Sequence, residues 1–325
     1  MANDITISNS TYAGEAAEGY VRAAVLSSNS FAQNFVTTIE NVKHKHVIRP
    51  ISNDGNLIQS FACDFTSGGQ YTITERVLEP DEFMVNLEFC KQTFRSAWEA
   101  FQTGRGFIND ELPAQFEDVI LLDTSEEIAA AIEFNLWQGN YDPSGTSATY
   151  TSFDGICKVF EDDGALSNKI DLIDASDGST ELTSLTVAED VTYNMQRVLD
   201  ALPSRLRNPE RYVFMVSPKT RDLYLKDLAD SGYQDLYTSN DGTASARFQG
   251  YTVAAPNGFP DDTIMFASPS NLFFGTDVAG DFAQAVVIDR TPIDGSDNVR
   301  VVYRFTAGTQ IGVVDDVFMC YPDAT

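Results

Sequence analysis

Residues 42–79 carry the pattern of a β-ribbon without the means to fold as one. Three strand-like runs, VKHKHVIRPI, LIQSFACDF and YTITERVL, are separated by the turn sequences SNDGN and SGGQ. Their apolar residues are too few to close a core, and a two- or three-stranded ribbon is marginal in water by itself. The ribbon must therefore lie on another surface, and a neighbouring copy of the chain could supply it. Residues 1–41 are small and polar, with one short amphipathic patch (Tyr20, Val21, Ala24, Val25), and read as an extended arm that also needs a support.

The remaining chain can build a core. Of 325 residues, 43% are hydrophobic and 11% aromatic, enough for one large domain or two to three small ones. Forty-eight acidic residues against 21 basic ones leave a net charge of −27, which excludes a broad electrostatic grip on nucleic acid or on an anionic membrane. The N-terminus has no basic and apolar signal regions, and no run approaches the ~18 apolar residues of a membrane span, so the reading is a soluble chain made in a cytoplasm. Cys63, Cys90, Cys157 and Cys320 lie far apart without a C-x-x-C pair, which fits buried reduced thiols.

Catalytic and metal-binding patterns fail one after another. The two histidines, His44 and His46, would share one strand face, but no cysteine or acid stands within several positions on that strand, so a third ligand would have to come from elsewhere. They read as surface residues beside Lys43, Lys45 and Arg49, and any His-dependent nucleophilic mechanism would have to use them. No G-x-S-x-G or H-E-x-x-H occurs, and TGRGFIN lacks the third glycine of a dinucleotide loop. The acidic turns EDDG and DASDG put Val159 and Ile173 at the first ligand position of an EF-hand loop, so that pattern fails as well. No enzyme activity, cofactor or metal is expected.

An i, i+3, i+4, i+7 seam of Phe83, Leu87, Cys90, Phe94, Ala97 or Trp98, and Phe101 predicts a long helix from Asp81 to Gly104. Thr124 and Glu127 form a capping box for a second helix with Ile128, Ile132 and Leu136, ended by LWQGN. Residues 141–184 read as loop with one strand at GICKVF. A second capping box, Thr186 to Glu189, opens a helix with Val187, Val191, Met195, Val198 and Leu202 on one face. RYVFMVSPKTRDLYLKDL then reads as a buried strand, a Ser217-Pro218 cap and a helix. Strands FQGYTVAA, TIMFAS and NLFFG follow. AQAVVIDR and VRVVYRF form a long hairpin around TPIDGSDN, with Arg300 and Arg304 on one face and Val301, Tyr303 and Phe305 on the other. Strand TQIGVVDDVFM closes the chain, making the fold class α+β.

This order of parts resembles the major capsid protein of tailed bacteriophages, with its Hong Kong 97-type fold. The stretches that carry the resemblance are LEPDEFMVNLEFCKQTFRSAWE, IEFNLWQGN, RYVFMVSPKTRDLYLKDL and GYTVAAPNGFPDDTIMFASPSNLFFGTD. The resemblance implies an N-terminal arm (1–41), an extended loop (42–80), a peripheral domain (81–145 and 280–307, spine helix 81–104) and an axial domain (146–279 and 308–325). It further implies hexamers and pentamers of the chain in an icosahedral shell that encloses double-stranded DNA without tight binding, assembled in a bacterial cytoplasm with no membrane. Some relatives crosslink through a lysine in the extended loop; the turns here have none, so no crosslink is expected. The chain reaches its arm almost at once from Met1, which implies a separate scaffolding protein, alongside a portal and decoration proteins. Inter-subunit contacts are expected at the ribbon turns (Asn53, Asp54, Gly55, Gly68, Gly69) and at the hairpin tip (Asp294, Gly295, Asp297). Two alternatives stay open: an encapsulin-like compartment shell of the same fold, and a surface carbohydrate-binding or hydrolytic protein.

Overall fold

A computed structural model describes residues 9–13, 28–54, 58, 60, 61, 63, 68–90, 114–141, 152–230, 246–277, 284–290, 295, 296 and 298–322. The chain begins with β1 (Asn9–Ala13), a helical turn α1 (Asn29–Ala32) and β2 (Thr37–Ile39). The ribbon strands β3 (His46–Ile48), β4 (Ile51–Asp54), β5 (Gln70–Ile73) and β6 (Arg76–Leu78) lead into β7 (Asp81–Cys90). Next come helices α2 (Ala114–Gln138) and α3 (Ile156–Asp163), β8 (Lys169–Asp171), α4 (Ala188–Ala201), β9 (Val213–Val216) and α5 (Pro218–Asp230). The last part holds β10 (Arg247–Phe248), β11 (Tyr251–Ala254), β12 (Ile264–Ala267), β13 (Leu272–Gly275), β14 (Gln284–Asp289), β15 (Asn298–Ile311) and β16 (Phe318–Tyr321).

The strands in VFMV and IMFA show no alternation because both their faces are buried. They lie in a six-stranded mixed sheet of order β10-β11-β9-β12-β16-β8. Phe214, Val216, Ile264, Phe266, Phe318 and Cys320 point to one hydrophobic cluster, shared with Val191, Met195 and Val198 of α4 and Tyr224 of α5. Met215, Met265, Ala267 and Met319, the intervening residues, point to a second cluster built on Ile132, Leu136 and Trp137 of α2 and on the second sheet. That second sheet runs β1-β14-β15-β13-β2, with β7 also paired to β15.

The Ser217 cap forms as the sequence requires: the Thr220 amide donates to Ser217 Oγ at 3.1 Å, and Pro218 is the first helical residue. The hairpin forms as well. Val299, Val301, Tyr303 and Phe305 are buried, while Arg300 is half-buried and Arg304 exposed on the opposite face.

Several expectations are corrected. Residues 81–90 are a strand, β7, paired antiparallel with β15 from Asp81↔Ala307 to Cys90↔Asn298. DEFMVNLEFC fits a period of two (Phe83, Val85, Phe89 inward) as well as one of 3.6, and pairing with β15 decides between them. The rest of the expected spine helix, 91–104, lies outside the described residues. The long helix is α2, which begins ten residues before Thr124, so that residue is buried mid-helix and caps nothing. No glycine or proline interrupts AQFEDVILLD, so the helix propagates through the capping signal.

GICKVF is a helix, α3, with Ile156, Cys157 and Phe160 buried on one stripe. Its entry is set by a backbone crossing in which the Gly155 amide donates to the Gly139 carbonyl at 2.8 Å. A Cβ on Gly139 would come within 2.1 Å of the Phe153 carbonyl oxygen. Helix α4 starts at Ala188 behind Val187, without the Thr186 to Glu189 box. The closing strand is divided. The long β15 ends at Ile311, a 3-10 turn spans Val314–Asp316, and β16 enters the other sheet. Of the cysteines, Cys157 and Cys320 are buried, Cys90 is half-buried and Cys63 is exposed. His44 sits on a bend before β3, so it does not share a strand with His46; both are exposed.

The arm is partly built into the body. β1 lies along β14 (Asn9↔Ile288 to Ala13↔Gln284), β2 runs parallel to β13, and Ser30, Val36 and Val42 are buried. No helix among the described residues is long and apolar enough to cross a membrane.

Candidate assembly surfaces

The ribbon is one continuous antiparallel hairpin interrupted at Arg49-Pro50. β3 pairs with β6 (His46↔Leu78, Val47↔Val77, Ile48↔Arg76) and β4 with β5 (Ile51↔Ile73, Ser52↔Thr72, Asn53↔Tyr71), in the same register on both sides of the break. Proline cannot donate to the ladder, but its carbonyl still accepts the Thr74 amide at 3.2 Å. Two cross-strand ion pairs, Lys45 to Glu79 (2.8 Å) and Arg49 to Glu75 (3.0 Å), reinforce that register. Both are exposed, so each contributes little stability.

Directly opposed residues share a face, and so do residues two apart. Val47, Ile51, Tyr71, Ile73 and Val77 therefore share one face with the Arg49–Glu75 ion pair, and on it Ile51 (67%), Tyr71 (65%) and Ile73 (60%) stand largely in solvent. The opposite face carries Ser52 and Thr72, with Leu78 at its base. Single exposed apolar residues are ordinary, whereas Ile51, Tyr71 and Ile73 grouped beyond that ion pair make this end of the ribbon a candidate contact surface.

The base is anchored on the body by Leu78, which is fully buried. A Cβ on Gly275 would approach Leu78 Cδ2 to 2.8 Å, and one on Gly308 would approach the Glu79 carbonyl oxygen to 2.9 Å. Two glycines on adjacent strands thus hollow a seat for Leu78-Glu79-Pro80. Gln310 Nε2 donates to the Val77 carbonyl at 2.9 Å, and Arg76 pairs with Asp163 of α3.

Behind the ribbon, the segment after residue 28 is clamped to α2. Glu133 is 3% exposed and accepts from the Ser30 amide (3.2 Å) and from Ser30 Oγ (2.6 Å), while Trp137 Nε1 donates to that same Oγ at 2.8 Å. Phe31 and Phe35 pack on the core beside it. A buried carboxylate needs such donors, and here they tie Ser30 to α2.

Of the residues expected at contacts, Asn53 and Asp54 end β4 opposite Tyr71 and Gln70, and Gly69 stands just before β5 with φ +76°, so the structure gathers them at one end of the ribbon. Gly68 is half-buried and Gly69 exposed. Gly295 lies on the β14–β15 connection with φ +72° and nothing within 4 Å of a would-be Cβ. Gly55, Asp294 and Asp297 lie outside the described residues. Sequence reasoning missed this shared face, readable from the parity of Val47, Ile51, Ile73 and Val77 once the register is known. It also missed the glycine seat, for which the sequence carries no signal. No group of three or more metal-ligating side chains gathers among the described residues.

The fold of the chain is similar to that of chains in solved phage and particle structures. One match is a chain of the procapsid of satellite phage P4 that includes the size determination (Sid) protein, at TM-score 0.63 and 10% identity, covering 99% of this chain and 92% of that one. A second is in Gordonia phage Cozz (TM-score 0.56, 13% identity, 91% and 87% covered). A third is in the capsid of a native GTA particle computed with C5 symmetry (TM-score 0.53, 12% identity, 92% and 90% covered). The chain has the Hong Kong 97-type capsid fold. At identities this low the likeness is one of fold. No protein-family model and no curated protein matches the sequence.

Proposed function

We propose that this chain is the major capsid protein of a tailed double-stranded DNA phage, a structural subunit and not an enzyme, which assembles into hexamers and pentamers of an icosahedral shell. The observation that carries the reading is the pairing of a capsid fold over nearly the whole chain with a projecting ribbon that leaves Ile51, Tyr71 and Ile73 largely in solvent. Residues 1–41 then act as the arm, held to the body at β1 and again from Ser30 onward, and 42–80 as the extended loop reaching a neighbour. The peripheral domain comprises 81–145 and 280–307, with its spine at Ala114–Gln138, and the axial domain comprises 146–279 and 308–325. A net charge of −27 fits a shell that encloses DNA while leaving it mobile. A scaffolding protein, a portal and decoration proteins are the partners this role calls for, and the virion is the place.

Electron microscopy of the purified, overexpressed chain tests the reading. Closed icosahedral shells without protein inside are expected. Shells that carry a protein cargo would turn the reading toward an encapsulin-like compartment, and a monodisperse monomer under all assembly conditions would overturn it.

A further inference from the structure

Helix α5 presents an open groove of about 760 Å3, lined by Leu185, Thr186, Lys219, Asp222, Leu223, Leu225 and Lys226. Leu185 is fully buried, and Leu223 and Leu225 pack on the core, so the floor is apolar. The rim carries two of the chain's seven lysines, in a protein with 48 acidic side chains. Lys226 makes no ion pair among the described residues, and Lys219 reaches Asp261 and Asp262 only at 3.8 Å each. Asp222 on the same rim is turned toward Arg221, at 3.4 Å.

Shortly before Leu185 in the chain, residues 174–181 form a small, self-ordered acidic knuckle. The amides of Ser179 and Thr180 each donate to Asp177 Oδ1 at 2.9 Å, and Thr180 Oγ1 donates to Oδ2. The Ser176 amide donates to Asp174 Oδ1 at 2.7 Å, and Gly178 closes the turn at φ +65°. Those bonds hold the Asp177 carboxyl well down, to about 2, so it remains ionised at any working pH. Residues 176–181 are exposed, and Asp174, Asp177 and Glu181 make no ion pair among the described residues.

We propose that the lysine-rimmed groove on α5 receives the acidic 174–181 knuckle of a second copy of this chain. An apolar floor with two ammonium groups suits an ordered anionic turn, and each copy carries both halves of the contact. Because the two surfaces differ, the contact is heterologous: copies add head to tail, and a ring forms where the rotation between them closes. The charge pairing also gives a chain of net −27 an attractive register among otherwise repelling neighbours. This proposal deepens the shell reading by naming one contact within a capsomer, and it rests on that reading only for the ring's biological setting.

The decisive experiment mixes unlabelled and 15N-labelled full-length protein under assembly conditions and treats it with a zero-length carbodiimide. Mass spectrometry should find mixed-isotope peptides that join Lys226 or Lys219 to Asp174, Asp177 or Glu181. Recovery of other intermolecular crosslinks without these overturns the proposal, whether or not the oligomer is a shell. In parallel, K219E/K226E should lower the assembled fraction at least tenfold with an unchanged thermal midpoint, and adding E181K should restore part of it. Normal assembly by K219E/K226E, or density from a different protein in the groove of intact shells, also overturns it. Failure of the wild type to form shells would count against the proposed function, and the crosslink would still decide the contact in whatever oligomer forms.

Discussion

Shortening Leu78 to alanine removes the anchor of the ribbon, and its cost can be worked from the seat that holds it. The side chain is fully buried, and burying a leucine is typically worth about 2–5 kcal/mol against alanine once the residual cavity is included. The site sits on two hydrogen-bonded strands, where Gly275 of β13 opposes Gly308 of β15, and a paired backbone cannot collapse easily into the space, so we expect about 3 kcal/mol. Gly275→Ala should also destabilise, by about 1–3 kcal/mol, because its Cβ would stand 2.8 Å from Leu78 Cδ2 and 3.2 Å from Pro80 Cγ. The informative case is the double variant. With Leu78 shortened, the new methyl enters vacated space, so L78A/G275A should be more stable than the sum of the single costs by at least about 1 kcal/mol. Urea unfolding of the four proteins gives this coupling, and hydrogen exchange at Val77 and Val47 reports whether the ribbon base loosens. Strictly additive costs would refute the seat, as would a Leu78→Ala variant within about 0.5 kcal/mol of wild type.

Deleting residues 52–76 should leave a folded subunit that no longer forms shells by electron microscopy; normal shells would remove the ribbon from assembly. Replacing Asp294 and Asp297 with lysine should block assembly while leaving the melting temperature unchanged, which light scattering and calorimetry together will show. Cys63 is exposed, whereas burial pushes the Cys320 thiol up to about 12 and Cys157 higher still, so an alkylating reagent at pH 8 should label Cys63 first and reach the other two only on unfolding. Asp177 has its folded value depressed to about 2, below the ordinary ~3.9, so its contribution to local stability is present above about pH 4 and lost as pH falls through 2. A carboxyl midpoint near 4 in an NMR titration would show that the knuckle is not ordered by its own hydrogen bonds.

The sequence by itself determined those elements whose signal is local and unambiguous. The Ser217-Pro218 cap, the helix carrying Val191, Met195 and Val198, and the Arg300/Arg304 alternation all follow from residues a few positions apart. The ribbon's lack of a core was legible in the same way. Tertiary structure decided wherever two periods fitted equally well. DEFMVNLEFC could serve as a helix or a strand until β15, more than 200 residues away, offered an edge to pair with. ICKVFEDD became a helix because its entry was fixed by Gly139 against Gly155, a backbone contact that no propensity encodes. The assembly features belong to the same class. The exposed apolar group on the ribbon depends on register, the Leu78 seat on two distant glycines, and the α5 groove on Leu185 meeting a helix 33 residues on. Local sequence fixes which conformations a segment can adopt at low cost, and long-range pairing selects among them because burial and hydrogen bonding there outweigh differences in propensity of about 1 kcal/mol or less.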